Sequence, residues 1–251
     1  TLLRVWFLND ETKMNPHLEY GQAVPGLSNG RPFGIIETSG KFPSLVDALG
    51  LLALSDAWTE RDNEEMRTWM RAYLAWLQDS DIGRGESNTT NNHGTHYDAQ
   101  AIALALYTDQ SDIAKRIAQA VREKRIASHI VPDGSQPNEL ARTISRNYSL
   151  MNLLGMINLA ILGKHVGVDL WHYETSDGRG IRKAIDWFIP FIQKEKEWEW
   201  EQIKHFDEGQ YATLFWYAAV AFQDSRYKNL MNALASERLV SDRMNLTWPR
   251  V

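Results

Sequence analysis

The chain contains no cysteine. That removes any disulfide scaffold, any thiolate nucleophile and any Cys-ligated zinc. It also lacks an apolar run of the ~18 residues that a helix needs to cross a bilayer. Basic charge is not in excess: 27 Lys and Arg against 32 Asp and Glu leave a formal net charge of −5, and bulk charge therefore argues against general nucleic-acid binding. No Gly-rich phosphate loop, GxSxG elbow or dinucleotide fingerprint is present. Nor does any run alternate apolar and polar residues between hairpin turns, so strands are not expected.

What is present is an ordinary globular composition. Hydrophobic residues make up 43% and charged residues 24%, which excludes a disordered or collagen-like chain. A length of 251 residues allows one large domain or two small ones at ~150 residues each. With no linker, composition shift or repeat, a single domain over 1–251 is the expectation. The chain begins Thr-Leu-Leu-Arg-Val-Trp, with neither Met nor a positive-then-apolar signal segment, and reads as a processed, trimmed or fragmentary N-terminus. Ten Trp, nine Tyr and eight Phe exceed what a core of this size needs. Aromatic faces of that kind suit sugars, bases or helix packing.

Helical periodicity dominates. A first helix is expected over 44–55, with Leu45, Val46, Leu49 and Leu52 apolar. Thr59 then reads as an N-cap, with acidic residues in the first turn of TERD. The apolar face that follows is Met66, Trp69, Met70, Tyr73, Leu74 and Leu77, at i, i+3, i+4 spacing. A polar, Gly-containing loop is expected over 80–92. Further helices are expected over 94–108, 111–129, 137–164 (bent near 146–149), 180–196 and 208–235. Breakers separate them: PDGSQP at 132–137, TSDG at 175–178 and DEG at 207–209. The first forty residues, with PGLSNGRPFG, read as looser. Successive helices on short polar links argue for antiparallel pairs, hence an all-α fold of helical hairpins arranged as a partial toroid.

Two stretches concentrate chemistry. From Asn88 to Gln100, polar side chains crowd the junction between a loop and an apolar helix. Unpaired N–H groups and the positive dipole end favour anions there, and Asn91, Asn92, His93, Thr95, His96 and Tyr97 add donors. The plain alternative is an Asn/Thr cap with solvated neighbours. His93 and His96 at i, i+3 with Asp98 nearby could suggest a metal, but this is not a His-Glu-x-x-His pattern and no second ligand pair follows. From Asp133 to Tyr148, Arg142 can grip a carboxylate in bidentate fashion. Tyr148, six residues later, can face the same cleft. The alternative is a Glu139–Arg142 ion pair with Tyr148 packed on the core. A carboxylate pair for glycoside hydrolysis could be drawn from Glu37, Asp98, Asp133 and Glu139, at separations that sequence does not give.

Four stretches together carry a resemblance: GRPFGIIET (30–38), LALSDAWTERD (52–62), NNHGTHYDAQAIALALY (91–107) and DGSQPNELARTISRNYSLMNL (133–153). They resemble the alginate lyase superfamily of polysaccharide lyases, which break uronic-acid polymers by β-elimination. The likeness is closest to family 38, with glucuronan and alginate lyases, and more distant to the family 5 mannuronate lyases; it runs over roughly residues 5–165. It implies an incomplete (α/α) toroid whose cleft is lined by an Asn-His pair and an Arg…Tyr pair, which fall here on Asn92, His93, Arg142 and Tyr148. Asn91, His96, Tyr97, Gln136, Glu139 and Arg146 are the candidate substrate contacts in the stretches from Asn88 to Gln100 and from Asp133 to Tyr148, Arg146 as a local cation for an anionic polymer, with Lys41 and Arg84 as weaker ones. Where this chain has His96 the family more often has Trp. Relatives are generally longer at the N-terminus, where further helices help wall the cleft.

The implied substrate is a 1,4-linked polyuronate, alginate/polymannuronate or glucuronan, an anionic polysaccharide. No cofactor and no metal are required, and neither nucleic acid nor membrane is an expected partner. A secreted or periplasmic home is implied by the resemblance. Elimination removes the proton at C5 and expels the 4-O-glycosidic oxygen. The substrate carboxylate must be neutralised as charge builds, a task for Asn92, Arg142 and His93. In β-mannuronate and β-glucuronate the two groups lie on one side of the ring, so Tyr148 alone can serve as base and then acid. For α-guluronate, His93 would be the base and Tyr148 the acid. Trp198 and Trp200 could stack on sugars or pack between helices. The rival readings are a glycoside hydrolase on a similar toroid and a non-catalytic polyuronate-binding domain.

Overall fold

A computed structural model describes residues 1–27 and 32–234. Gly30 and Arg31 of the GRPFGIIET stretch, and Ala235 at the expected end of the last helix, lie outside the described residues. Among those described there is no strand; isolated antiparallel bridges pair Ile144 with Gln202 and Glu174 with Gly180. No described helix is long and apolar enough to cross a membrane. The chain divides into two units, Thr1–Val121 with Asn158–Val168, and Arg122–Ile157 with Asp169 onward.

In the first unit a π-helical turn (Arg4–Leu8) and a 3-10 turn (Pro32–Ile35) precede α1 (Ile36–Ser39), α2 (Phe42–Leu52), α3 (Glu60–Asp79), α4 (Asp81–Ser87), α5 (Asn92–Tyr107) and α6 (Ser111–Val121). Helix α3 starts where TERD predicts. The Thr59 hydroxyl accepts from the Asp62 amide at 3.1 Å while the Asp62 carboxylate accepts from the Thr59 amide at 2.8 Å. Arg4 clamps that carboxylate through Nε and Nη2, at 2.7 and 2.5 Å. All six expected apolar residues of α3 are buried. Each such side chain contributes ~1.5–3 kcal/mol through removal from water. Helix α5 is buried on every side from Gly94 to Ala105, as its run of Ala, Ile and Leu allows. A buried network ties it to α1 and α3: Thr38 and Tyr73 donate to Gln100 Oε1 at 3.1 and 3.3 Å, and Gln100 Nε2 donates to Ser39 at 3.1 Å.

One difference from the sequence expectation lies between α3 and α5. Residues 80–92, read as loop, contain α4. Ser80 caps it by accepting from the Gly83 amide at 2.9 Å. A Cβ on Gly83 would lie 1.9 Å from the Leu77 carbonyl oxygen. The glycine that suggested a loop therefore permits a short helix to turn back tightly on the end of α3.

The second unit has a π-helical turn (Arg122–Ala127), α7 (Pro137–Leu140), α8 (Ser145–Lys164, its residues from 158 onward belonging with the first unit), α9 (Ile181–Ile192), α10 (Gln210–Phe222) and α11 (Ser225–Leu234). Its core joins Ile181, Ala184, Ile185 and Phe188 of α9 with Tyr211, Leu214, Phe215 and Ala218 of α10, all but wholly buried. Gly134 has φ 98°, and a Cβ there would meet the Lys183 carbonyl oxygen at 2.5 Å, so the PDGSQP turn can lie on α9 only with glycine at this place.

Three expected helices are broken differently. The 111–129 helix is α-helical to Val121 and then widens into the π turn. The expected 137–164 helix breaks at 141–144, ahead of the predicted bend at 146–149. The 208–235 helix is two helices, because Gln223 takes a left-handed conformation (φ 51°) and Asp224 caps α11 by accepting from the Arg226 amide at 3.0 Å. The pairs α5–α6 and α10–α11, each joined by a short link, pack against one another as helical hairpins.

Candidate functional site

In the first unit, the chemistry gathers at the start of α5. Asn91 is the N-cap and its side-chain oxygen accepts from the His93 amide at 3.1 Å. Asn92 and Thr95 are fully buried and His96 nearly so. Position in the first turn puts Asn92 and His93 at the positive end of the helix dipole, where charge of the opposite sign is stabilised, and His96 follows in the second turn.

His93 is held from behind. Its Nδ1 lies 2.8 Å from Oε1 of Glu86, a carboxylate with no exposed surface, while the imidazole itself keeps 15% of its surface open. A carboxylate at that distance favours the proton on Nδ1 and fixes the orientation of the ring. Sequence reasoning missed Glu86 because the residue sat in the stretch read as loop. Tyr97, expected to touch substrate, is buried and donates its hydroxyl to the Leu77 carbonyl at 2.8 Å. His93, His96 and Asp98 do not gather for a metal; among the described residues no group of three His, Asp or Glu does so.

In the second unit, the guanidinium carbon of Arg142 lies 3.9 Å from the centre of the Tyr148 ring. This is a cation–π contact between two half-buried residues. The break between α7 and α8 makes it possible, because Arg142 lies in the irregular 141–144 link and Tyr148 in the first turn of α8. Gln136, expected at the substrate, is buried and occupied at both ends: Nε2 donates to the Ser149 carbonyl at 3.0 Å and Oε1 accepts from Asn152 at 2.8 Å. Glu139 is fully buried on α7.

A segment far along the chain holds this corner. Ser145 N donates to the Glu201 carbonyl at 3.1 Å and Ile203 N to the Thr143 carbonyl at 2.9 Å. Gln202 Oε1 accepts from the Arg146 amide at 3.0 Å, and Gln202 Nε2 donates to Asn147 Oδ1 at 2.9 Å and to the Lys204 carbonyl at 2.8 Å. The Trp198 indole donates to the Ser145 hydroxyl at 2.8 Å.

Beside the corner lies a groove of about 690 Å³ lined by Arg146, Trp198, Trp200, Gln202, His205, Phe206, Asp207 and Glu208. Arg146 Nη1 is 3.3 Å from Glu208, whereas Lys194 reaches both oxygens of that carboxylate, at 2.6 and 2.7 Å. Lys194 first, and Arg146 behind it, hold the Glu208 carboxyl below the usual range. Of the weaker candidates, Arg84 is paired with Asp81 at 2.5 Å, and Lys41 is exposed before α2.

The two sets thus lie in different units: Asn91, Asn92, His93, His96 and Tyr97 in the first, and Gln136, Glu139, Arg142, Arg146 and Tyr148 in the second. A family model described as alginate lyase matches residues 1–198. Among solved structures, the crystal structure of an alginate lyase from Bacteroides ovatus is similar, at 36% sequence identity and a TM-score of 0.89, over 93% of this chain and 63% of that one. The chain therefore spans less than two thirds of that relative's length, and it shares that structure's fold. No match is found among curated proteins.

Proposed function

We propose that this chain, which belongs to the alginate lyase family, is a polysaccharide lyase that cleaves a 1,4-linked polyuronate of the alginate or glucuronan type by β-elimination. The observation that carries the reading is the Arg142 guanidinium carbon 3.9 Å from the centre of the Tyr148 ring, which brings the cation and the phenol that the elimination calls for to one corner. In the syn scheme, the Tyr148 oxygen takes the C5 proton. The C5–H electron pair becomes the C4=C5 bond, the bond from C4 to the glycosidic oxygen breaks, and the same hydroxyl returns the proton to the leaving oxygen. Negative charge builds on the substrate carboxyl group in the meantime. Asn92 and His93 are the donors assigned to it, His93 oriented by Glu86. Tyr97 and Gln136, whose polar atoms are engaged inside the protein, are assigned to support rather than contact. Alginate lyases act on polymers that lie outside the cytoplasm, and we place this chain in the periplasm or beyond the cell.

Absorbance in the near ultraviolet tests this directly, because the C4=C5 double bond conjugated to the carboxyl group absorbs and a hydrolysis product does not. Polymannuronate, polyguluronate, glucuronan and polygalacturonate are supplied separately. The expected result is a rise on one of the first three, reduced about a thousandfold in Tyr148→Phe. New reducing ends without a rise would replace this reading with hydrolysis by a carboxylate pair. Binding without either product would replace it with a polyuronate-binding domain.

A further inference from the structure

We propose that the groove beside the Arg142–Tyr148 corner is a second uronate subsite, in which Trp200 carries the apolar face of a pyranose and Arg146 takes that sugar's carboxylate. The inference rests on the polyuronate reading above and adds to it where the polymer extends. The placement comes first. The 198–204 segment that forms one wall is hydrogen-bonded to residues 143–147, between Arg142 and Tyr148. Groove and corner are therefore one piece of structure. On α8, positions 146 and 148 diverge by ~200° at 100° per residue. Arg146 is thus directed away from the ring on which Tyr148 works and is available to another.

The chemistry of the lining comes second. Trp198 is already used: its N–H goes to Ser145 and Arg146 lies over its ring at 5.0 Å. Trp200 packs on that base, edge-on to Trp198 at 5.1 Å and tilted against Trp187 at 5.4 Å, which makes a stiff platform of the kind that pyranose C–H faces prefer. The acidic groups of the lining are also occupied. Asp207 accepts from the Gly209 amide at 3.0 Å at the start of α10, and Glu208 is satisfied by Lys194 through two contacts. Arg146 holds Glu208 only through its longer 3.3 Å contact, so it can turn to an incoming carboxylate and leave Glu208 to Lys194.

The test is calorimetric binding of mannuronate oligomers of two to six sugars to full-length Tyr148→Phe, which cannot turn them over. Trp200→Ala and Arg146→Gln, each added to that background, should weaken binding of the hexamer about tenfold and of the dimer far less. Trp200→Phe should restore most of the loss, which separates a stacking platform from a folding defect. In the active enzyme the same substitutions should lower kcat/KM about tenfold on polymer, chiefly through KM. Hexamer affinity unchanged in both variants overturns the subsite while leaving the lyase reading intact. Absence of elimination on every polymer, with hexamer binding still lost in Trp200→Ala, overturns the lyase reading and leaves the subsite standing. No oligomer binding at all overturns the subsite.

Discussion

The start of α5 and the Arg142–Tyr148 corner are built by opposite means. At α5 the working side chains are fixed by near neighbours: Asn91 caps the helix that carries Asn92 and His93, and Glu86, seven residues before His93, holds the imidazole. At the corner they are fixed from 56 residues away, by Gln202 and the Glu201 carbonyl. A locally held group loses one restraint when its partner is changed. A group on an irregular link held by long-range bonds can lose its whole geometry, because the bonds constrain backbone as well as side chain. The first kind of site is rigid by composition and the second by fold.

The sharpest way to break that comparison is Glu86→Gln. Volume and an acceptor are kept, but the charge-assisted bond to His93 becomes a neutral one of about half its strength. We expect kcat to fall about ten- to a hundredfold, with Tm unchanged or raised, because a fully buried charge has been removed. Steady-state kinetics beside thermal melts decide it. A lower Tm with unaltered kcat would mean that Glu86 only fills space. Gln202→Ala asks the same of the corner and should act differently. Its three hydrogen bonds support two segments, so kcat should fall about tenfold or less while stability drops by ~1–3 kcal/mol in urea titrations. Full activity in that variant would show that the 198–204 segment rests on the corner without holding it.

The same contrast explains what could be read from the residues. Helix α3 was legible from Thr59 to Leu77 because cap and apolar stripe are both local signals, and the polar cluster at Asn91–His96 was legible because a helix start has a signature. Helix α4, and Glu86 with it, was hidden because Gly83 and Gly85 read as breakers, whereas Gly83 is there to let backbone approach the Leu77 carbonyl. The break at 141–144 was misplaced because its cause is not in 137–164 at all: it is stabilised by pairing with Glu201 and Ile203. Trp198 and Trp200 could not be told apart by spacing. Both line the groove, and only the fold separates Trp198, bonded to Ser145 and covered by Arg146, from Trp200, which packs on it.

Acid should separate the two regions with the smallest effect, and through stability alone. His129, in the second unit, is almost fully buried. Burial, with Arg125 adding repulsion, lowers its pKa to about 3 against an ordinary 6.5. It is hydrogen-bonded to Asn152, which donates to Gln136, which in turn donates to the Ser149 carbonyl next to Tyr148. The folded protein therefore keeps His129 neutral beneath the corner. Its folded pKa lies below the unfolded one, so the unfolded chain binds the proton first as pH falls. The contribution of His129 to stability is complete above pH 6.5 and is lost progressively between there and about 3. Between pH 6.5 and 5, above the range in which most carboxylates titrate, the loss from this residue is roughly 1–2 kcal/mol. Urea midpoints at those two values should show it in the native chain, with a shallower dependence in His129→Gln. Hydrogen exchange should place the loosening at residues 148–152 ahead of the α5 amides. Equal slopes in the two proteins, or protection lost first at α5, would mean that the corner does not depend on a neutral imidazole beneath it.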